Sequence, residues 1–287
     1  MKIRRLGCLL LALCLLAGCG GSPETTTQAP EETQALPQLS GDLNIYCFQA
    51  GKADAFLFWN EAGAVLLDTG ESGFGKTIVE KLGELGIEKL DWLILTHFDK
   101  DHVGGAKKLL NEIPVDHILQ SNCPKTGASA YDKYAQALTE LGLEAVTLRE
   151  RLSFTLGDTL FTVDPPAREG YPQDESNNSS LIVSVLHGAD RLLFCGDAED
   201  LRLAEYLQNE SGQYDLVKLP HHGVYQSTLV SLLDKTRPDW GVICSSEEEP
   251  EDSQTLELLE SRGVKALLTR EGPVTIRSSG SGLTVTQ

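Results

Sequence analysis

Trp92-Leu93-Ile94-Leu95 is an unbroken apolar run that stops at Thr96-His97-Phe98-Asp99-Lys100-Asp101-His102-Val103-Gly104-Gly105. Continuous aliphatics bounded by polar residues suit a strand covered on both faces, so layers must lie above and below this segment. His97, Asp99, Asp101 and His102 then fall on the loop leaving the strand, where side chains can converge on a small volume. Imidazole and carboxylate at that density suit a hydrolytic zinc, manganese or iron site. Gly104-Gly105 reads as a tight turn under the ligands, ahead of a helix over 106–110. The bland alternative is a polar strand-to-helix turn with surface charges.

Elsewhere, strand clusters alternate with single helices. Residues 44–48, 55–59 and 64–67 read as strands, and Ile78, Val79, Leu82 and Leu85 have helical spacing. Tyr131, Tyr134, Ala135, Leu138 and Leu141 mark a second amphipathic helix. Hairpins follow over 151–163 and 181–195, then helices near 203–207, 229–233 and 254–261 between strands at 216–219 and 240–244. Two sheets packed face to face with helices outside, an α+β arrangement, is the economical architecture.

Two later strands also end in chemistry. Arg191-Leu192-Leu193-Phe194-Cys195-Gly196-Asp197 closes on a carboxylate whose two oxygens suit a bridge between cations, or a helix cap. Val217-Lys218-Leu219-Pro220-His221-His222-Gly223 closes on adjacent imidazoles. Four of the six histidines thus fall in the two motifs, leaving His117 and His187 as structural residues. Asp54 and Asp68, at neighbouring strand ends, are candidates for orienting ligating histidines, with turn formation and helix capping as equal alternatives. Asn177 to Ser180, Ser179 among them, suit substrate positioning or a plain turn.

Lys2, Arg4 and Arg5 precede an apolar stretch over 6–16 that is short for a membrane span and ends Leu16-Ala17-Gly18-Cys19. That end resembles a bacterial lipobox, which implies a lipoprotein signal peptide over 1–18 and lipid on Cys19. Acyl chains there would hold the protein on the outer face of a membrane. Residues 19–40, rich in Thr, Pro, Glu and Gln, form an expected disordered tether before a single domain over 41–287. The chain carries a net charge of −18, and losing Lys2, Arg4 and Arg5 leaves 21 basic against 42 acidic residues, or −21. Such acidity gives no general attraction for nucleic acid. A polyanionic substrate would rely on metals and on Lys100, Lys218 and Arg270. Cys47, Cys123, Cys195 and Cys244 form no Cys-x-x-Cys pair and read as structural thiols.

The order His-x-Asp-x-Asp-His-x-Gly-Gly, Asn-x-Ser, Gly-Asp and Pro-His-His-Gly resembles the metallo-β-lactamase superfamily, above all the hydrolase domain of ComEC-type competence proteins and their free-standing relatives. Phe48 to Ala55 and Leu66-Leu67-Asp68-Thr69-Gly70 fit that group too, so the resemblance spans about 42–285. It implies an αββα four-layer sandwich with two divalent metal ions, zinc or manganese, at one edge. His97 and Asp99 would hold the first ion, Asp101 and His102 the second, and Asp197 both. His221 would complete the second site, with His222 sharing that role or serving the transition state; Asp101 and His222 are the catalytic candidates.

Superfamily members usually have histidine where Asp99 stands and often another near Asn177 to Ser180. The first site is therefore oxygen-rich, which moves preference towards manganese. The competence-type histidine near Asp252 is replaced by an acidic run. A surface-anchored, dinuclear phosphodiesterase or nuclease is the leading expectation. A cell-wall phosphodiester esterase, a β-lactam or thioester hydrolase, and a non-catalytic metal-binding lipoprotein stand as alternatives.

Overall fold

The aliphatic runs build strands that a computed structural model describes over residues 41–287, apart from 169, 172 and 211 and the side chains of 173–175. The expected signal peptide over 1–18, and Cys19 with the expected tether over 19–40, lie outside the described residues. In chain order the strands begin with β1 (Leu43–Cys47), β2 (Phe56–Asn60), β3 (Gly63–Leu67), β4 (Leu90–Leu95), β5 (Val115–Gln120), β6 (Ala145–Thr147) and β7 (Leu152–Leu156). They continue with β8 (Thr159–Asp164), β9 (Ile182–His187), β10 (Asp190–Phe194), β11 (Leu216–Lys218), β12 (Trp240–Ile243), β13 (Lys265–Leu268), β14 (Val274–Ser278) and β15 (Leu283–Thr286). One sheet runs β15-β14-β1-β2-β3-β4-β5-β6 and the other β13-β12-β11-β10-β9-β8-β7. Helices α1 (Gly75–Glu84), α2 (Lys100–Val103), α3 (Ala106–Leu110), α4 (Ser129–Leu141), α5 (Asp200–Asn209), α6 (Thr228–Thr236) and α7 (Ser253–Ser261) fill the connections.

Three buried apolar layers follow from this order. Between the sheets, Phe56 and Phe58 meet Phe194, and Phe58 meets Phe161, edge-on at 5.0–5.4 Å. On the outer face of the first sheet, Ile78 and Leu82 of α1, Leu109 of α3 and Tyr134 of α4 cover Leu57, Leu66 and Leu93. On the other, Leu203 of α5, Leu229 of α6 and Leu259 of α7 cover Leu193, Val217 and Ile243. Each such side chain contributes about 1.5–3 kcal/mol on burial, so the sandwich is held from within and from both flanks. The result is the αββα sandwich expected from the sequence. Strand β6 did not stand out there, because its three residues are half-buried or exposed and show no periodicity.

Parallel pairing then sets where the functional side chains lie. Strand β4 runs parallel to β3 and β5, and β11 runs parallel to β10 and β12. A loop follows the carboxyl end of each. The Leu181 N–H donates to Thr96 O at 2.9 Å, tying the start of β9 to the end of β4 across the two sheets. Gly104 and Gly105 act differently from expectation: both have ordinary helical dihedrals, at φ −60° and −81°. Glycine is needed there for space, since a Cβ on Gly105 would lie 2.2 Å from Thr69 O and one on Gly104 would lie 2.5 Å from Ser72 N.

The remaining histidines and thiols are structural, as expected. His187 is buried with Nδ1 2.7 Å from Ser278 Oγ, and His117 stacks on Trp92 at 4.3 Å. The four cysteines among the described residues, of seven in the chain, are free, and burial pushes the Cys195 thiol up to about 12. Among the described residues no helix is long and apolar enough to cross a membrane.

Candidate metal centre

The loop after β4 supplies His97 and Asp99, and the single turn α2 carries Asp101 and His102. Asp197 follows β10 by way of Gly196, and His222 follows β11. The rings of His97 and His102 stand 4.1 Å apart, and those of His102 and His222 5.5 Å. His102 Nε2 lies 3.2 Å from Asp197 Oδ2; His222 Nε2 lies 3.0 Å from the same oxygen and 3.3 Å from Asp101 Oδ2. Ligand atoms of Asp101, His102, Asp197 and His222 all fall within 4.8 Å of one another.

Each imidazole is turned the same way by its neighbours. The Asp68 carboxylate, held by the Thr96 N–H at 2.8 Å and hydroxyl at 2.7 Å, accepts from His102 Nδ1 at 2.8 Å. His222 Nδ1 donates to the Cys244 carbonyl at 3.0 Å. The Thr96 hydroxyl gives its proton to Asp68, so it is an acceptor for His97 Nδ1 at 3.2 Å. With Nδ1 committed to these partners, each Nε2 faces the cluster, where a metal would displace the proton that a charged imidazole carries. Nε2 of His97, His102 and His222 is buried and makes no well-aligned hydrogen bond, those of His102 and His222 meeting Asp197 only as ion pairs, so a further group would satisfy all three. Three of the contacts among Asp101, Asp197, His102 and His222 are 3.0–3.3 Å and all lie within 4.8 Å, close enough for one ion to be shared by an imidazole and carboxylate donor set. These residues fit a divalent metal.

Charge holds the cluster together in the meantime. Burial works against a charged His222, but Asp197 and Asp101 outweigh it and raise the imidazole to about 9. His102 is likewise raised against burial by Asp197 and Asp68. Burial and the neighbouring His102 push His97 down to about 4, so it is neutral. Asp197 is held well below the usual carboxylate range by His222, His102 and Lys218, despite burial.

A model of the metallo-β-lactamase superfamily matches residues 49–246. The chain belongs to that superfamily. ComE operon protein 3 of Bacillus subtilis (strain 168) is 26% identical over 257 residues, covering 81% of this chain and 32% of the relative. Recombination protein 2 of Haemophilus influenzae is 28% identical over 208 residues, 70% of this chain and 24% of the relative. The chain thus spans a third or less of these relatives, which bear out the resemblance to competence-type domains. Among solved structures, the CmlA β-hydroxylase E377D mutant has a TM-score of 0.56 at 16% identity over 82% of this chain and 54% of its own. YhfI of Bacillus subtilis has a TM-score of 0.55 at 12% identity over 80% and 98%. Both show the fold.

Within the metallo-β-lactamase frame, the structure corrects several expected placements. His221 does not complete the second group; His222 does. Both residues have left-handed backbone, φ 47° and 53°, and this twist sends the rings apart. His221 Nδ1 lies 3.3 Å from Glu199 Oε1, and its Nε2 lies 3.2 Å from Asn177 Nδ2. Gly223 is required just beyond, since a Cβ there would stand 2.9 Å from Ile243 and Glu251 side chains. Asn177 is engaged with Glu199 and His221, and Ser179 donates to the Ser176 carbonyl at 2.6 Å, so Ser179 is part of a turn.

Asp68 orients His102, as one reading of the sequence had it. Asp54 instead pairs with the fully buried Lys218, with its other oxygen 3.7 Å from His222 Nδ1. Lys218 also reaches Gly196 O at 2.9 Å and Asp197 Oδ1 at 3.5 Å. It therefore lies beneath the centre and cannot receive substrate. Arg270 is committed to Glu247, Glu251 and Glu271, and Lys100 to Glu71. Asp252 accepts from the Tyr225 N–H at 2.8 Å and shapes that loop.

Asp99 stands apart from the other ligands. Its Oδ1 is 4.0 Å from His97 Nε2 and 2.6 Å from Lys125 Nζ. Lys125 comes from a loop with no motif, and Ser176 and Glu199 flank the motifs at 177–180 and Gly196-Asp197 without belonging to them, so none of the three stands out by residue type or spacing. Thr96 was signalled only by its place between the strand and His97. An open cleft of about 340 Å³ has Asn178, Glu199, Asp200, His221 and Tyr225 on its walls, so it lies on the His221 side and is lined by none of the six candidate ligands.

Proposed function

We propose that the chain is a metal-dependent hydrolase of phosphodiesters, held on the outer face of a membrane through lipid on Cys19. The observation that carries the catalytic part is the convergence of Asp101, His102, Asp197 and His222, with the buried His97 ring 4.1 Å from that of His102. His97, Asp99, Asp101, His102, Asp197 and His222 are the residues that would hold divalent zinc or manganese. Bound ions would supply a nucleophile near neutral pH and neutralise charge on a phosphoryl oxygen.

The chain's own residues do the rest. Asp68 and the Cys244 carbonyl fix the imidazoles, so ligand geometry is set before substrate enters. His221, steadied by Glu199 and Asn177 and facing the cleft, is the imidazole placed to meet substrate. It takes the transition-state role that His222 gives up. Glu199 and Asp200 beside it, together with the acidic net charge, favour a compact phosphodiester over a long polyanion such as nucleic acid.

The test is to supply the purified protein with Mn²⁺ or Zn²⁺ and assay a chromogenic phosphodiester, single-stranded DNA and a chromogenic cephalosporin. Phosphodiester turnover that disappears in Asp197→Ala is the expected result. Turnover of the cephalosporin alone would overturn the substrate class, and bound metal with no turnover would favour a binding protein.

A further inference from the structure

The two halves of the centre are unequal. Asp101, His102, Asp197 and His222 form one compact group, and neither His97 nor Asp99 belongs to it. Asp99 faces a cation of the protein's own. Lys125 Nζ lies 2.6 Å from Asp99 Oδ1 and 3.0 Å from Ser176 Oγ. Ser176 Oγ in turn donates to the same carboxylate, 2.9 Å from Oδ1 and 3.1 Å from Oδ2. The three side chains close a ring beside His97.

Among the described residues, nothing nearby makes up the missing ligand. Asn177 and Asn178 point to Glu199, Ser179 to the Ser176 carbonyl, and Ser180 Oγ accepts the Asp197 N–H at 3.1 Å. A divalent ion on this side would have His97, Asp99 and a shared Asp197 oxygen, and it would have to displace an ammonium to reach Asp99. Lysine suits this place, being a compact charge that asks for no coordination geometry.

We propose that Lys125 is the resident cation of the His97–Asp99 half, so that the resting protein holds one metal ion firmly and a second only when Lys125 leaves Asp99. The proposal rests on the reading of the cluster as a metal centre, and not on the choice of substrate. It makes Lys125 a positioning residue that sets metal stoichiometry. One tightly held divalent ion and one ammonium then give the centre one positive charge fewer than two divalent ions would.

Counting metal tests this without reference to turnover. The full chain, in detergent, is stripped with chelator and titrated calorimetrically with Zn²⁺ and with Mn²⁺, and dialysed samples are analysed for metal. Wild type is expected to take one equivalent tightly and a second at least tenfold more weakly. Lys125→Met removes the ammonium but keeps the stem, and should tighten the second equivalent about tenfold. Lys125→Arg, which keeps the charge, should retain the wild-type pattern. Two equivalents of equal affinity in wild type would overturn the proposal, as would a Lys125→Met titration matching wild type. The wild-type count stands whatever the variants do, and circular dichroism establishes that they fold. Absent phosphodiester turnover alongside the expected counts would sink only the substrate reading.

Discussion

His102 Nδ1 lies 2.8 Å from the Asp68 carboxylate, and that contact decides which face of the ring a metal can use. Asp68 is fully buried, holds φ at +57° and also accepts from the Thr96 N–H and hydroxyl. Asparagine tolerates left-handed backbone, so Asp68→Asn should preserve the turn while removing the charge. Loss of an outer partner of this kind typically lowers metal affinity by about 10–100-fold. Chelator competition on folded Asp68→Asn should show that drop; unchanged affinity would mean that Asp68 serves only the turn.

The two adjacent histidines should separate cleanly. His222→Ala removes an Nε2 that sits 3.0 Å from Asp197 and 3.3 Å from Asp101, and should abolish tight metal binding. His221→Ala removes a ring that touches Glu199 and Asn177, and should leave metal binding within about twofold while lowering phosphodiester turnover. Equal loss of metal in the two variants would reject the assignment. Calorimetric titration beside a turnover assay reads both.

How much of this the sequence carried depends on locality. His97, Asp99, Asp101 and His102 were visible because they crowd into six residues after an apolar run. Asp197 was visible because it repeats that strand-to-carboxylate pattern. The choice between His221 and His222 was not, since it turns on dihedrals of φ 47° and 53° rather than on residue type. Lys218 looked like an available cation, yet β11 is a central strand buried along its whole length, which puts its side chain under the site. Lys125 and Ser176 reach Asp99 across 26 and 77 residues of sequence, from segments whose composition says only loop. Two layers of helix and two sheets could be read from periodicity; the contacts between distant loops could not.

Lys218 is fully buried with its ammonium on Asp54, Gly196 O and Asp197. Burial alone would lower its pKa, but Asp54 and Asp197 raise it, so it is charged throughout the working range. Lys218→Met would strand the Asp54 carboxylate without its partner, at a cost of about 3–5 kcal/mol. Combining it with Asp54→Asn removes the stranded charge, and the pair should cost clearly less than the sum of the two single changes. Urea unfolding in chelator gives the comparison. Additive losses would mean that the two side chains do not act as a pair.

Metal-free protein should lose stability between pH 6.5 and 9, because His222 is raised from 6.5 to about 9 by Asp197 and Asp101 against burial. A histidine raised in the folded state contributes fully below its unfolded value, and that contribution is lost as pH climbs through the folded value. His102, raised in the same direction, adds to the trend. His97 has the opposite sense, since it falls from 6.5 to about 4, and it weakens the fold only below pH 6.5. Asp197, held low, acts only at more acid pH still. The window above 6.5 therefore belongs to His222 and His102. A divalent ion must displace their protons, so its affinity should rise over the same interval that the metal-free melting temperature falls. Melting curves in chelator at half-unit pH steps, paired with metal titrations in buffers of different ionisation enthalpy, measure the two trends and the protons released. A metal-free melting temperature that is level or climbs from pH 6.5 to 9 would show that these imidazoles are neutral before metal arrives.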